Sequence, residues 1–322
     1  MGSYTQLTQD QRYQVYAFLK AGFSQTAIAS EIGVHKSTVS RELSRNRGKK
    51  GYRPKQAHNT ALERRAEAYK FIKMTYQVIP LIEDLICQDF SPEQVSGFLC
   101  RQHNVRISHE SIYRHVLKDK ARGGDLYLHL RHSRKKRKKR YGSYDRRGQI
   151  QGRVSIDERP SIVDSKKRLG DWEIDTIIGK NHKGVLLSIV ERKSKFTLIR
   201  KVQRKQADLV AEAAIHLLQA HKGKVLTITA DNGKEFAHHE HIKEQLKTDV
   251  YFAHPYHSWE RELSENTNGL IRQYFPKGMS FETIKESHVQ MAMDRLNNRP
   301  RKTLGYKTPV EVFFYPVTKQ AA

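Results

Sequence analysis

Two acidic residues stand out in the stretch from Ala230 to Gly278, among others there: Asp231 in ADNGKEF and Glu265 in WERELSENTNGLIRQYFPKG, with thirty-three residues between them. A third carboxylate, Asp175, lies upstream in GDWEIDTIIG. Three carboxylates that meet in space can hold two divalent ions roughly 3.5–4 Å apart. One ion would activate a water or 3′-hydroxyl for attack on phosphorus, and the other would stabilise the departing 3′-oxygen. Hard cations with oxygen ligands suit such chemistry, Mg²⁺ foremost, with Mn²⁺ as its substitute and two ions per site once substrate is bound. Asp175, Asp231 and Glu265 are therefore expected to be both the catalytic and the metal-binding residues.

The surrounding pattern must place these acids. WEIDTIIG, VLLSIVERK and FTLIRKV are rich in β-branched residues and are joined by KNHKG and KSK, which predicts a three-stranded antiparallel meander. ADLVAEAAIHLLQAH has apolar pairs at helical spacing; a strand VLTITA, a short helix HHEHIKEQL, a strand DVYFAHPY and the helix carrying ENTNGLIRQYF follow. Three strands, helix, strand, helix, strand, helix is the order of an RNase H-like fold. Alternation sets Trp172, Ile174 and Ile178 on one strand face and Glu173, Asp175 and Ile177 on the other. A mid-strand carboxylate facing a packed helix is costly unless its charge is offset, and a metal would do that. Asp231 ends an apolar strand, where open α/β sheets place ligands. In the last helix Leu263, Thr267, Leu270, Ile271 and Tyr274 share a face, and Glu265 lies nearly opposite, beside Arg261, Asn268 and Arg272, of which Asn268 and Arg272 are expected DNA contacts. Helix phase alone would leave Glu265 a solvated surface carboxylate. Asp171, Glu173 and Glu235 are lesser candidates for the same role.

The chain of 322 residues has 59 Lys and Arg against 34 Asp and Glu, a formal net charge of +25 and a pI near 10.0. Such a surplus calls for a polyanionic partner, and double-stranded DNA is the expected one. Cys87 and Cys100 are the only cysteines, too few for a disulfide framework or a cysteine zinc site. Both lie in apolar helical patterns and read as small core residues of a reducing compartment. There is no apolar run of bilayer length and no signal-peptide core, so a soluble, cytoplasmic protein without membrane contact is expected.

Residues 8–48 carry a helix-turn-helix pattern. Val15, Phe18 and Leu19 recur at helical spacing, Gly22 ends that helix and Ser24 caps the next, and Ala29 permits close helix contact. Gly33 makes the turn, and Val34, Val39 and Leu43 form the third helix's inner stripe. Lys36, Ser37, Thr38, Ser40 and Arg41 on its other face are side chains of the kind that reach base edges and phosphates. Residues 76–118 repeat the logic more weakly: Ser91 caps a helix beginning with Pro92, Ser108 caps HESIYRHVLKD, and His109 and Arg114 are its outward DNA-binding candidates. Between Arg131 and Arg140, eight of ten residues are Lys or Arg. This run would extend by self-repulsion and follow phosphates through Arg134, Lys135, Lys136 and Arg137. The expected organisation is a first helix-turn-helix domain at 1–50, a solvated helical connector at 51–74, a second helix-turn-helix domain at 75–120, a basic linker at 121–155 and the RNase H-like core at 156–322. The fold class is α+β and multidomain. His238, His239 and His241 have no cysteine or HExxH partners and read as surface residues.

GDWEIDTIIG, the DNGKEF block, and above all ENTNGLIRQYFPKG followed by LNNRPRKTLGYKTP resemble bacterial insertion-sequence transposases of the insertion-sequence-thirty family, over essentially the whole chain. The resemblance implies a DDE recombinase with a retroviral-integrase-like core, whose acids fall on Asp175, Asp231 and Glu265. It further implies heads that recognise the element's terminal inverted repeats, target DNA as second substrate, and a homo-oligomer acting on paired ends on the bacterial nucleoid, often through a circular intermediate. The chain departs from the family pattern where Ile174 and Glu262 replace Gly and Ser264 replaces Asn. Two rival readings are a non-catalytic DNA-binding regulator whose RNase H-like half only mediates assembly, and a nuclease that cuts without joining.

Overall fold

The computed structural model describes residues 6–68, 74–131, 150–255 and 257–315. They fall into two compact units, one up to residue 72 and one from residue 73 onward.

The first unit begins with α1 (Gln9–Lys20), where Thr8 and Gln11 form a reciprocal capping box. Ser24 Oγ accepts from the Ala27 amide to open α2 (Gln25–Glu31), and α3 runs Lys36–Asn46. Gly33 takes a left-handed φ of +68°, which turns the chain between α2 and α3. A hairpin of β1 (Arg47–Gly48) and β2 (Gly51–Tyr52) leads into α4 (Pro54–Glu67). Val15, Ile28, Ala29, Val39, Tyr52 and Ala57 form the core. Beside it Arg12 Nε lies 2.8 Å from Glu42 Oε1, and the Tyr52 hydroxyl donates to the same oxygen at 3.1 Å. Residues 51–67 were expected to be a solvated connector. Tyr52 and Ala57 instead bury against α1 and α3, so α4 belongs to the head: one small residue at the right phase suffices for close helix contact.

The second unit opens with α5 (Val78–Cys87), α6 (Pro92–His103) and α7 (His109–Ala121), packed through Ile82, Leu85, Ile86, Val95, Leu99, Ile112 and Val116. Ser91 and Ser108 cap α6 and α7 as predicted. Cys87 and Cys100 are exposed, contrary to the expectation of a core position. Each stands one residue past a buried stripe, 82/85/86 and 95/99, and 100° of helix rotation carries it outward.

The strands follow: β3 (Val154–Ser155), β4 (Asp171–Ile178), β5 (Val185–Glu191), β6 (Thr197–Val202), then α8 (Ala207–Gln219), β7 (Thr227–Ala230), α9 (His239–Leu246), β8 (Asp249–Phe252), α10 (Glu262–Tyr274), α11 (Glu286–Asn298) and α12 (Pro309–Phe314). They form one sheet in the order β3-β8-β7-β4-β5-β6. β4, β5 and β6 are antiparallel, while β7 runs parallel to β4 and β8 parallel to β7. This is the RNase H-like arrangement, with β3 added at the edge beside β8. Trp172, Ile174, Leu187 and Leu198 face α8 and α9 on one side. Ile177, Leu186 and Ile199 face α10 and α11 on the other. Asp175 has the parity of Ile177, so it points toward α10.

The helical group α5–α7 is fastened to the C-terminal elements of the same unit. Arg101 pairs with Glu311 at 2.6 Å, Lys302 with Glu93 at 2.6 Å, and Arg295 with Asp89 at 2.5 Å. Gly97 lies flat on the Tyr306 ring, where an added Cβ would come within 2.3 Å of ring carbons.

Both thiols should react with Ellman's reagent in the native protein, without denaturant. Burial pushes the Cys87 thiol up, and nearby carboxylates led by Asp125 add to this. Its reaction should therefore accelerate as the pH is raised from 7 to 9.

Candidate active site

β4 and β7 are adjacent parallel strands, in register through Glu173 and Thr229. Asp175 lies two residues beyond that pair and Asp231 follows the last residue of β7, so both acids emerge at one end of the paired strands. They converge on one guanidinium. Arg261 Nη1 is 3.6 Å from Asp175 Oδ1, and its Nη2 is 3.4 Å from Asp231 Oδ2. Arg261 also donates to the Ile174 carbonyl at 3.4 Å, which ties it to β4 itself.

Asp175 is held at both oxygens. Oδ1 accepts from the Thr176 amide at 2.8 Å, and Oδ2 accepts from Asn268 Nδ2 at 2.8 Å. The Asn268 carbonyl oxygen in turn accepts from Ser188 Oγ at 2.8 Å, so the amide cannot turn over without losing a bond. Burial pushes the Asp175 carboxyl above the usual carboxylate range; Arg261 opposes this, and the neighbouring charge of Asp231 adds to it. Asp231 Oδ1 accepts from the Gly233 amide at 2.9 Å, closing the turn that its strand enters.

Glu265 is exposed on α10, four residues after Arg261 and three before Asn268. Glu265 and Asn268, three residues apart, share one helix face, and the Asn268 contact turns that face to Asp175; Arg261 stands just before the helix, at its N-cap. The polar face of α10 thus looks toward Asp175, with Glu265 one turn before the Asn268 that holds it. The apolar stripe of Leu270 and Ile271 fixes this rotation by packing on Ile177 and Leu186.

The neighbouring acids are engaged elsewhere. Glu173 is buried; its Oε2 accepts from the Ser264 amide at 2.9 Å and hydroxyl at 3.0 Å, and its Oε1 lies 3.3 Å from Arg192. Asp171 pairs with Arg168 at 2.9 Å and accepts from Thr227. Glu235 is held by Thr176 Oγ1 at 2.9 Å and Lys205 at 2.7 Å. Glu260 is taken by two histidines, His254 and His257.

The expected DNA-contacting residues belong to several elements of the two units. Lys36, Ser40 and Arg41 are exposed on α3, while Ser37 and Thr38 are half-buried at its start. His109 and Arg114 are exposed on α7, Arg114 lying 3.4 Å from Glu110. Arg134, Lys135, Lys136 and Arg137 lie outside the described residues. Asn268 spends both ends of its amide on Asp175 and Ser188. Arg272 reaches back to the Ile178 carbonyl at 2.9 Å and lies over the Phe281 ring. Trp259, whose residue type suits DNA contact and core packing equally, is 67% exposed. His239, expected at the surface, is buried against Phe252. Arg261 was the residue whose weight the sequence left undecided: an arginine four positions before an acid on a helix is commonplace until the strand ends beside it are known.

Two carboxylates that already share a cation, one of them in a position that disfavours its charge, form an oxygen donor set suited to a hard divalent ion. Asp175, Asp231 and Glu265 are the side chains that could hold one.

The family model for a helix-turn-helix domain matches residues 3–46. The transposase for insertion sequence element IS4351 of Bacteroides fragilis is 46% identical over 309 residues, covering 95% of each chain. Transposase InsI for insertion sequence element IS30C of Escherichia coli (strain K12) is 34% identical, covering 95% of this chain and 82% of that protein. Among solved structures, the catalytic core domain of BIV integrase is similar at 21% identity and a TM-score of 0.36, covering 46% of this chain and 95% of that one.

Arg261→Ala should lower the Tm of the metal-free protein by about 4 °C, as two close carboxylates lose their shared cation, and millimolar Mn²⁺ should restore most of it. For Asp175 the folded-state pKa is raised, so its contribution to stability is full below the ordinary carboxylate pKa and is lost as pH rises through the folded value. Asp175→Asn should therefore flatten the decline of Tm above pH 4 and remove the Mn²⁺ effect. Differential scanning fluorimetry across pH, with and without Mn²⁺, checks both.

Proposed function

The chain belongs to the IS30 family of insertion-sequence transposases, and on that premise we propose that Asp175, Asp231 and Glu265 are the acids with which it cuts and joins DNA. As a transposase it is an enzyme of the polynucleotidyl transferase type with a helix-turn-helix head. The observation that carries the proposed site is the convergence of Asp175 and Asp231, from neighbouring parallel strands, on the single Arg261 guanidinium. Glu265 joins them because Asn268, on its own helix face, holds Asp175.

Divalent cations bound there, Mg²⁺ or Mn²⁺ and two per site with DNA present, would supply an activated oxygen nucleophile and neutralise the leaving 3′-oxygen. The protein's own part is positional. The Thr176 amide and Asn268 fix both oxygens of Asp175, the Gly233 amide fixes Asp231, and the α10 stripe fixes the rotation that aims Glu265. In the first step water attacks phosphorus at the element end and gives its proton to solvent, the bond to the 3′-oxygen breaks, and that oxygen takes a proton from solvent, leaving a 3′-hydroxyl and a 5′-phosphate. In the second, that 3′-hydroxyl attacks a target phosphodiester; one P–O bond forms as another breaks, so no external energy is needed. Were the aspartates to hold cations, Arg261 would no longer be needed as their counter-ion, and its guanidinium would be placed to meet a phosphate oxygen.

The DNA substrates in this reading are the element's terminal inverted repeats and a target duplex. Lys36, Ser40 and Arg41 would read the major groove, with Ser37 and Thr38 at the amino end of α3. His109 and Arg114 would serve the second head, and the basic run at Arg134, Lys135, Lys136 and Arg137 would follow phosphates. A homo-oligomer on paired ends, in a bacterial cytoplasm at the nucleoid, completes the reading. Among the described residues no helix is long and apolar enough to cross a membrane.

With labelled element ends, a target plasmid and Mg²⁺, the protein should yield both cleaved and joined products. Asp175→Asn, Asp231→Ala and Glu265→Gln should each cut the rate at least about 10³-fold while end binding in a gel shift is retained. Cleavage without joining would favour a nuclease; specific binding without either would favour a regulator. Arg41→Ala should weaken binding to the ends by about 1–3 kcal/mol if it reads a base, and should lower the salt slope by about 1 without loss of specificity if it meets a phosphate.

A further inference from the structure

The loop that follows β8 reads HPYHSWER and delivers Arg261 to the two aspartates. Its first histidine is fixed in place by the sheet: the Ala253 amide donates to the Ala230 carbonyl, which extends the β7–β8 ladder by one bond, and the His254 amide donates to Glu260 Oε2 at 2.8 Å. Glu260 Oε1 then lies 2.8 Å from His254 Nδ1 and 3.2 Å from His257 Nδ1. The two ring nitrogens and a Glu260 oxygen lie within 4.8 Å of one another. The other nitrogen of His254, Nε2, is 2.9 Å from Asp157 Oδ2.

We propose that His254, His257 and Glu260 form a transition-metal site, separate from the paired aspartates, that takes Zn²⁺ or a chemically similar ion. Two imidazole nitrogens and one carboxylate oxygen are a donor set for Zn²⁺, Ni²⁺ or Co²⁺, whereas Mg²⁺ favours oxygen alone. Both Nδ1 atoms face one carboxylate oxygen at distances close to the separation of neighbouring ligands in a tetrahedral shell, so loss of the intervening protons and a small outward shift would admit an ion. Asp157 on His254 Nε2 is the outer carboxylate that holds a ligating imidazole in one tautomer and orientation. The three ligands span seven residues, and the last adjoins Arg261. An ion bound there would clamp the turn that carries Arg261 and opens α10, so its role is to position that turn.

Trp259 supplies the readout. Its ring stacks on His257 with centroids 4.4 Å apart, and it is exposed, whereas Trp172, the only other tryptophan, is fully buried in the sheet core. Co²⁺ titrated into the full chain in 5 mM MgCl₂ should quench the Trp259 emission saturably at one equivalent and produce a visible ligand-field band. His254→Ala/His257→Ala, checked for folding by circular dichroism, should lose both signals. Asp157→Asn should bind about tenfold more weakly. Asp175→Asn/Asp231→Asn should retain both signals, so that failure of the catalytic reading and failure of this one are separable. Equal quenching and absorption in the double-histidine variant would assign the ion to others of the sixteen histidines and overturn the site. Absence of either signal in the parent protein, or their loss in the double-aspartate variant alone, would overturn it as well.

Discussion

Two ionised carboxylates side by side at the edge of a sheet core repel one another unless a cation stands between them. In this protein that cation is Arg261, which bridges Asp175 and Asp231. The requirement is electrostatic: burial already pushes Asp175 toward its neutral form, and a second negative charge nearby pushes further. A guanidinium with two donor edges answers both acids at once, at separations longer than a tight salt bridge. The pair is thus kept assembled and remains open to exchange with a smaller, more highly charged ion.

The surrounding polar contacts bear on one outcome, the seating of α10 against β4. Ser264 binds Glu173, Asn268 binds Asp175 and Arg272 binds the Ile178 carbonyl, so residues spaced along one helix meet residues along one strand. The Ser264 amide and hydroxyl both serve the buried Glu173. Glu173 has Arg192 as its counter-ion, which spares it as a structural anchor while Asp175, two residues on, shares its cation with Asp231. The apolar stripe of α10 supplies cohesion and these contacts supply register.

Much of this was legible beforehand. The meander, α8, the strand ending before Asp231 and the helix carrying Glu265 all follow from residue period and β-branched runs, and alternation alone put Asp175 on the face that α10 covers. Capping serines at 24, 91 and 108 were readable because their chemistry is local. What was misread depended on packing: α4, mistaken for a connector because its charges hide one buried alanine; Cys87 and Cys100, each a single residue outside a buried stripe; and His239, whose burial depends on Phe252.

The sequence by itself determined the strands that carry Asp175 and precede Asp231 and the helix that carries Glu265, because period and residue type are written in short segments. The tertiary structure decided that Asp175 and Asp231 converge from neighbouring strands, that Arg261 rather than a more distant base stands between them, and that Glu173 and Glu235 are consumed by Arg192 and Lys205. Helix phase gives the direction of a side chain relative to its own helix, and only the docking of that helix says what lies in that direction.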